Sequence, residues 1–193
     1  MVVDTEQGYI ETNKVVKHYT WDKLKELTVK WSYDRGILTN GKAVTQCLKL
    51  VSEKGELDKS IATDKDFRDD IGDMLVVICN LSQLVGFKDL AEHWSEDLRD
   101  RDSNILLLGS DLGKLCDMII KGQDKEIIGE QLSILIVHLA SLCEYYGTTM
   151  EDCWSIAYHD IKDRKGFLNT EGTFIKSTDD NYEQLLMEFK NAK

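Results

Sequence analysis

An all-α helical bundle is the fold class this sequence predicts, and three observations predict it. The chain contains no proline, the residue that removes a backbone donor and breaks helix interiors. Its apolar residues, 42% of the total, recur at helical rather than alternating spacing. Short runs of glycine, asparagine and threonine interrupt these stretches where the chain must reverse. At 193 residues the chain can bury one sizeable core, so 1–193 is read as a single all-α domain.

Residues 1–19 have weak periodicity and read as a lead-in. After Thr20, a good N-cap, residues 21–35 place Trp21, Leu24, Leu27 and Trp31 at helical spacing. Gly36 and the run Thr39-Asn40-Gly41 end that helix in a turn. A second helix is expected over 42–61. Gly55 inside it costs roughly 1 kcal/mol relative to alanine, which suggests close packing or the close approach of a ligand there. Thr63 is read as the cap of a third helix, 64–85, whose acidic first turns suit the helix dipole. A tight turn joins the second and third helices, so they should run antiparallel.

Further helices are expected at 89–101, at 105–121 closed by Gly122, at 125–146, and at 150–163 behind a Thr148 or Thr149 cap. The pattern lapses at Arg164-Lys165-Gly166 and through 173–176. A last amphipathic helix, 180–191, gathers Tyr182, Leu185, Leu186 and Phe189.

The chain also matches itself. A shift of 58 positions pairs Leu50 with Leu108, Gly55 with Gly113, Leu57 with Leu115 and Leu81 with Leu139, and a shift of 60 pairs Trp94-Ser95 with Trp154-Ser155. Two repeats follow, about 42–101 and about 104–166. The second has diverged: the positions of Glu56, Asp70 and Asp73 become Lys114, Ile128 and Gln131, and only Glu53 keeps an acid, at Asp111.

The formal net charge of -11 argues against nucleic acid or an anionic membrane surface as a partner. Five cysteines, an odd number without a C-x-x-C pair, read as buried thiols in a reducing cytoplasm. The N-terminus is polar and lacks the pattern of a signal peptide. The longest apolar-rich stretch, 132–143, contains His138 and is too short to span a bilayer.

Two acidic pairs carry the chemistry, Glu53-x-x-Glu56 and Asp70-x-x-Asp73. A gap of three puts both members of a pair on one helix face. The first pair continues a polar stripe through Gln46 and Lys49, the second runs from Asp66 to Asn80, and apolar residues border both. Four carboxylates meeting in a partly buried seam would raise one another's pKa unless a cation joined them. Oxygen-only ligation suits Mg2+, or Mn2+, rather than Zn2+, so Glu53, Glu56, Asp70 and Asp73 are the candidate metal ligands and catalytic residues.

The run Gln46-x-x-Lys49-Leu50-x-x-Glu53-Lys54-Gly55-Glu56-Leu57, followed by Asp70-Ile71-Gly72-Asp73-Met74, resembles the MazG-like all-α nucleoside triphosphate pyrophosphohydrolases, whose signature is E-x-x-E, a spacer, then E-x-x-D. Trp31, Arg35-Gly36-Ile37 and Asn80 are similar to the family's pattern, as are Asp163-Arg164-Lys165-Gly166 and Gly172-x-Phe174-Ile175-Lys176. Asp70 departs from it, since it stands where the family has glutamate. The motif's beginning and end also lie in different halves of the chain, as in a fused tandem. The resemblance implies Mg2+-dependent hydrolysis of a (deoxy)nucleoside triphosphate to monophosphate and pyrophosphate. It further implies Trp31 and Asn80 as substrate-binding residues, Lys49, one turn before Glu53, with Arg164 and Lys165 as phosphate contacts, and Glu53 as the carboxylate favoured to orient water. Association of chains is expected, with a dimer as its form.

Rival readings are weaker. A metal phosphohydrolase of the H…HD…D type, suggested by His138 and His159-Asp160, lacks an upstream histidine partner in the right helical context, since His18 and His93 are isolated. A calcium loop beginning at Asp64 fails because Asp69 stands where glycine is required. The non-enzyme alternative is a helical regulatory or interaction module descended from such a hydrolase.

Overall fold

The computed structural model describes residues 17–91 and 100–191. Trp94-Ser95 and most of the helix expected at 89–101 lie outside the described residues.

The described chain is all-α apart from one small hairpin of strands. Helix α1 (Trp21–Asp34) leads into a short α2 (Ile37–Asn40), entered through Gly36 at φ 75°. A turn alone was expected there. Two helical hairpins form the body: α3 (Ala43–Ala62) with α4 (Arg68–Val85), and α5 (Arg101–Ile120) with α6 (Lys125–Tyr145). The shift of 58 carries α3 onto α5 end for end. Helix α7 (Met150–Ile161) packs along α4, and Thr149 caps it by accepting from the Asp152 amide. Strands β1 (Gly166–Leu168) and β2 (Phe174–Lys176) pair antiparallel with Phe167 opposite Ile175, and α8 (Tyr182–Asn191) closes the chain.

Three boundaries differ from expectation for local reasons. Thr63 ends α3 instead of starting α4: its hydroxyl bonds back to the Lys59 carbonyl at 2.7 Å, and Asp64 turns the chain at φ 54°. The chain then stays irregular until Arg68, whose amide donates to Asp66. Helix α5 starts a turn early because Asp100 accepts from the Ser103 amide at 3.0 Å. Helix α6 outgrows the apolar stretch 132–143. Its 21 residues would by length and composition cross a bilayer, but most of the apolar window is buried inside the bundle.

One cluster of buried apolar residues runs through α1, both hairpins and α7. Trp154 anchors it, donating its indole N–H to Thr28 at 3.1 Å and meeting the Trp21 ring edge-on at 4.9 Å. Gly72 permits close packing of α4 on α7, since a Cβ there would lie 2.1 Å from the Cys153 carbonyl oxygen. Gly55, which the sequence suggested for that role, faces open space. Helix α8 buries no residue and rests on Phe167 through Tyr182 and Phe189.

Candidate active site

Facing residues turn the first hairpin into a ladder of polar rungs. Helices α3 and α4 run antiparallel, so Gln46 lies opposite Asn80, Glu53 opposite Asp73 and Glu56 opposite Asp70. Two of these rungs open into a cavity of about 300 Å³, whose lining includes Gln46, Lys49, Glu53, Asp73, Asn80 and Arg164. Trp31 and Ile37 supply part of its apolar wall, and Thr173, Phe174 and Lys176 of the β-hairpin close one side.

Burial divides the carboxylates. Glu53 is 2% exposed and forms an ion pair with Lys49. Asp73 is half-buried, and its carboxyl is pushed up to about 7, first by burial and then by the charges of Glu53 and Asp69, with Arg164 and Lys49 opposing. Asp70 is also raised, by burial, against a hydrogen bond from Ser60, with Glu56 adding repulsion. Glu56 is exposed, and the Glu56–Asp70 rung lies beside the cavity rather than on its lining. Among the described residues no three His, Cys, Asp or Glu side chains gather as a group that could hold a metal ion.

The cationic partners come from both ends of the chain. Lys49 is about half exposed at the cavity edge. Arg164 follows α7 and pairs with Asp160. Its backbone carbonyl accepts twice from Arg35, at 3.0 and 2.7 Å, so α1 pins the segment that presents Arg164. The same guanidinium lies 4.8 Å over the Trp31 ring, while Trp31 donates its indole N–H to the Ile161 carbonyl at 2.8 Å. Trp31 is thus both a core residue and part of the cavity wall. Lys165 is exposed and is not part of the lining.

Several cavity residues went unassigned in the sequence. Phe174 and Lys176 arrive on a strand of three residues and Thr173 just before it, too short a stretch for periodicity to give them a role. Asp69 lies outside the lining and also went unassigned: its carboxyl is raised by burial and then by Asp160 and Asp70, and it stands one residue before the acidic pair. Gln46 had a visible signal, since it lies on the stripe of Lys49 and Glu53.

The β-hairpin is fastened over the cavity at its tip. Thr45 donates to the Glu171 carbonyl at 3.0 Å, Lys42 reaches the Glu171 carboxylate at 3.4 Å, and Gly172 packs against the Gly41–Lys42 backbone. The histidines of the rival phosphohydrolase reading stand apart: His138 is buried in the second hairpin and His159 contacts the Lys17 backbone. No family model, curated protein or solved structure matches the chain.

Proposed function

We propose that this protein is a Mg2+-dependent nucleoside triphosphate pyrophosphohydrolase of the MazG-like all-α type, acting in nucleotide-pool control. The observation that carries this reading is the polarity of the cavity. Buried carboxylates and three cationic side chains, Lys49, Arg164 and Lys176, share one enclosed space with Trp31 and two carboxamides. A triphosphate needs the charged part, and a nucleobase needs the rest.

The donor set suits Mg2+ or Mn2+. It is oxygen-only, and the Asp73 carboxyl, raised first by burial and then by the charges of Glu53 and Asp69, would be relieved by a cation. Mg2+ is commonly held by one or two carboxylates plus substrate phosphates, so two carboxylates on the lining suffice. Glu53 and Asp73 would hold it, with Asp70 and Glu56 in reserve on the next rung. When bound, the ion supplies charge neutralisation at the phosphate oxygens and a lowered pKa for water.

The chain's own residues do the remaining work. Lys49 pairs with Glu53 and holds its carboxylate in position, and a Glu53 oxygen not engaged by the ion would orient a water and take its proton as oxygen adds to the α-phosphorus. The bond from that phosphorus to the bridging oxygen breaks, and pyrophosphate leaves with that oxygen. Arg164 and Lys176 meet the charge on the departing group, and Arg35 keeps Arg164 in place.

A deoxynucleoside triphosphate panel with Mg2+, resolved by product chromatography, tests the reading. Monophosphate and pyrophosphate are expected. Diphosphate with orthophosphate would point to a terminal phosphatase, and no turnover of any substrate would favour the non-catalytic module.

A further inference from the structure

The β-hairpin that closes one side of the cavity is braced from within and only lightly tied to the helices beneath it. Among the described residues, the backbone hydrogen bonds of 165–181 stay inside the C-terminal segment: β1 pairs with β2, Ser177 donates to Lys165, Asn169 donates to Thr173, and Gly172 donates to Asn169. The Asn169 side chain stiffens the tip, accepting from the Glu171 and Thr173 amides at 3.1 and 2.8 Å. Phe167 and Ile175 share the outer face, where Tyr182 and Phe189 of α8 meet Phe167. The inner face turns Phe174 and Lys176 to the cavity and buries Leu168.

The ties to the body are of a different kind. Two side chains reach the tip: the Thr45 hydroxyl donates to the Glu171 carbonyl at 3.0 Å, and Lys42 meets the Glu171 carboxylate at 3.4 Å in a pair largely open to solvent. Apolar contact adds to them, with Phe174 lying 6.2 Å from the Trp31 ring. The chain enters the hairpin at Lys165, directly after Arg164, whose carbonyl Arg35 holds. The hairpin can therefore lift at its tip and turn about Lys165 while keeping all of its own backbone bonds. A site that encloses its ligand needs a wall that moves to admit it.

We propose that residues 165–176, backed by α8, form a lid that pivots at Lys165, is clasped to the start of α3 through Glu171, and lifts to admit and release the ligand of the cavity. The identity of that ligand rests on the triphosphate reading above. Lys49, Glu53, Asp73 and Arg164 stay on the body, so phosphates can land on an open site. Closure then brings Phe174 and Lys176 over them. Lifting exposes Leu168 and Phe174 to water, which keeps the closed state favoured, and the Glu171 clasp sets how often the lid opens.

Two measurements test the lid. The first follows N-ethylmaleimide labelling of Leu168→Cys by peptide mass, with the fully buried Cys79 and Cys153 of the same chain reporting global unfolding. Labelling at position 168 is expected to outpace both, and to accelerate a further threefold to tenfold relative to them when Lys42→Ala and Thr45→Val remove the clasp. Labelling in step with Cys79 and Cys153, or no acceleration, overturns the lid. The second needs no new cysteine and follows binding of a fluorescent non-hydrolysable triphosphate analogue with Mg2+ by stopped flow. Removing the clasp should speed association and dissociation alike, by roughly threefold to tenfold, and leave Kd within about twofold, because the free and bound closed states lose the same contacts. Unchanged rates, or faster dissociation alone, overturn the gate and leave the triphosphate reading standing. If no analogue binds, the triphosphate reading falls, and labelling at position 168 decides the lid by itself.

Discussion

The two helical hairpins place polar residues at matching positions and treat them in opposite ways. In the first, Gln46, Glu53, Asp73 and Asn80 open on a cavity, and Asp73 is held at about 7. In the second, the corresponding residues Asn104, Asp111, Gln131 and His138 are all buried, and they satisfy one another. The His138 ring faces the Asn104 side-chain oxygen at 2.8 Å and the Asp111 carboxylate at 2.9 Å, and Gln131 donates to the Asp111 carbonyl at 3.1 Å. Lys114, at the Glu56 position, reaches the same carboxylate at 2.6 Å. The Asp111 carboxyl lies below its ordinary range: bonds from Lys114, His138 and Gln131 outweigh burial, the largest single influence, which raises it. One ladder is left charged and hungry for partners, and the other is closed by its own.

The largest test of this contrast is turnover. Glu53→Gln should lower the rate of pyrophosphate release by on the order of a thousandfold or more, with helicity unchanged by circular dichroism. A fall of less than tenfold would remove Glu53 from the chemistry. The same contrast fixes stoichiometry: calorimetry should give one nucleotide per chain, and two would mean that the second ladder also binds.

Stability should respond in opposite directions in the two ladders. The folded pKa of Asp73, about 7, exceeds its ordinary 3.8. The folded protein therefore holds that proton more tightly than the unfolded chain, and stability falls as pH rises across the interval. Asp73→Asn removes the penalty and should raise stability above pH 7 by up to about 4 kcal/mol, seen as a higher melting temperature at pH 8 than at pH 4 relative to the parent. An equal shift at both pH values would contradict the assigned cause. Asp111→Ala should cost about 2–4 kcal/mol by leaving the buried His138 ring short of a partner, with the KM of the folded fraction unaltered. Because the Asp111 pKa is lowered, its contribution is present above the unfolded pKa and is lost as pH falls through the folded one.

Much of this was legible in the sequence because helices announce themselves by period. Trp21, Leu24 and Trp31 marked one buried face, and the border of apolar residues around Glu53 and Asp73 marked the seam. The Thr63 boundary was illegible because a threonine between two helices can cap either. Here its hydroxyl found the carbonyl of Lys59 behind it before any amide ahead. Gly55 and Gly72 look alike in sequence, and only the path of α7 decides which must lack a side chain. The second ladder was read as degenerate from its lost acids. Its closure depends on His138, Asn104 and Asp111 meeting across two helices, a matter of register that no single segment displays.

The smallest expected effect separates two lysines that the sequence could not rank. Lys165 sits in the Arg164-Lys165-Gly166 run and was a candidate phosphate contact, whereas Lys176 lies eleven residues further on, at the end of β2. The strand pairing sets Gly166 opposite Lys176 once the chain has reversed at 169–173, and Lys176 joins the cavity while Lys165 remains exposed outside it. Lys176→Ala should weaken binding of a non-hydrolysable triphosphate analogue by about 1–2 kcal/mol, the worth of a charge-assisted contact that is partly open to water. Lys165→Ala should stay within about 0.5 kcal/mol of the parent, as a solvated surface charge does. Raising the salt concentration should shrink the Lys176 effect and leave the Lys165 effect near zero. The reverse ranking would mean that the β-hairpin swings over the substrate by a rearrangement that brings Lys165 inward, and the Thr45 and Lys42 contacts with Glu171 would then be the first to break.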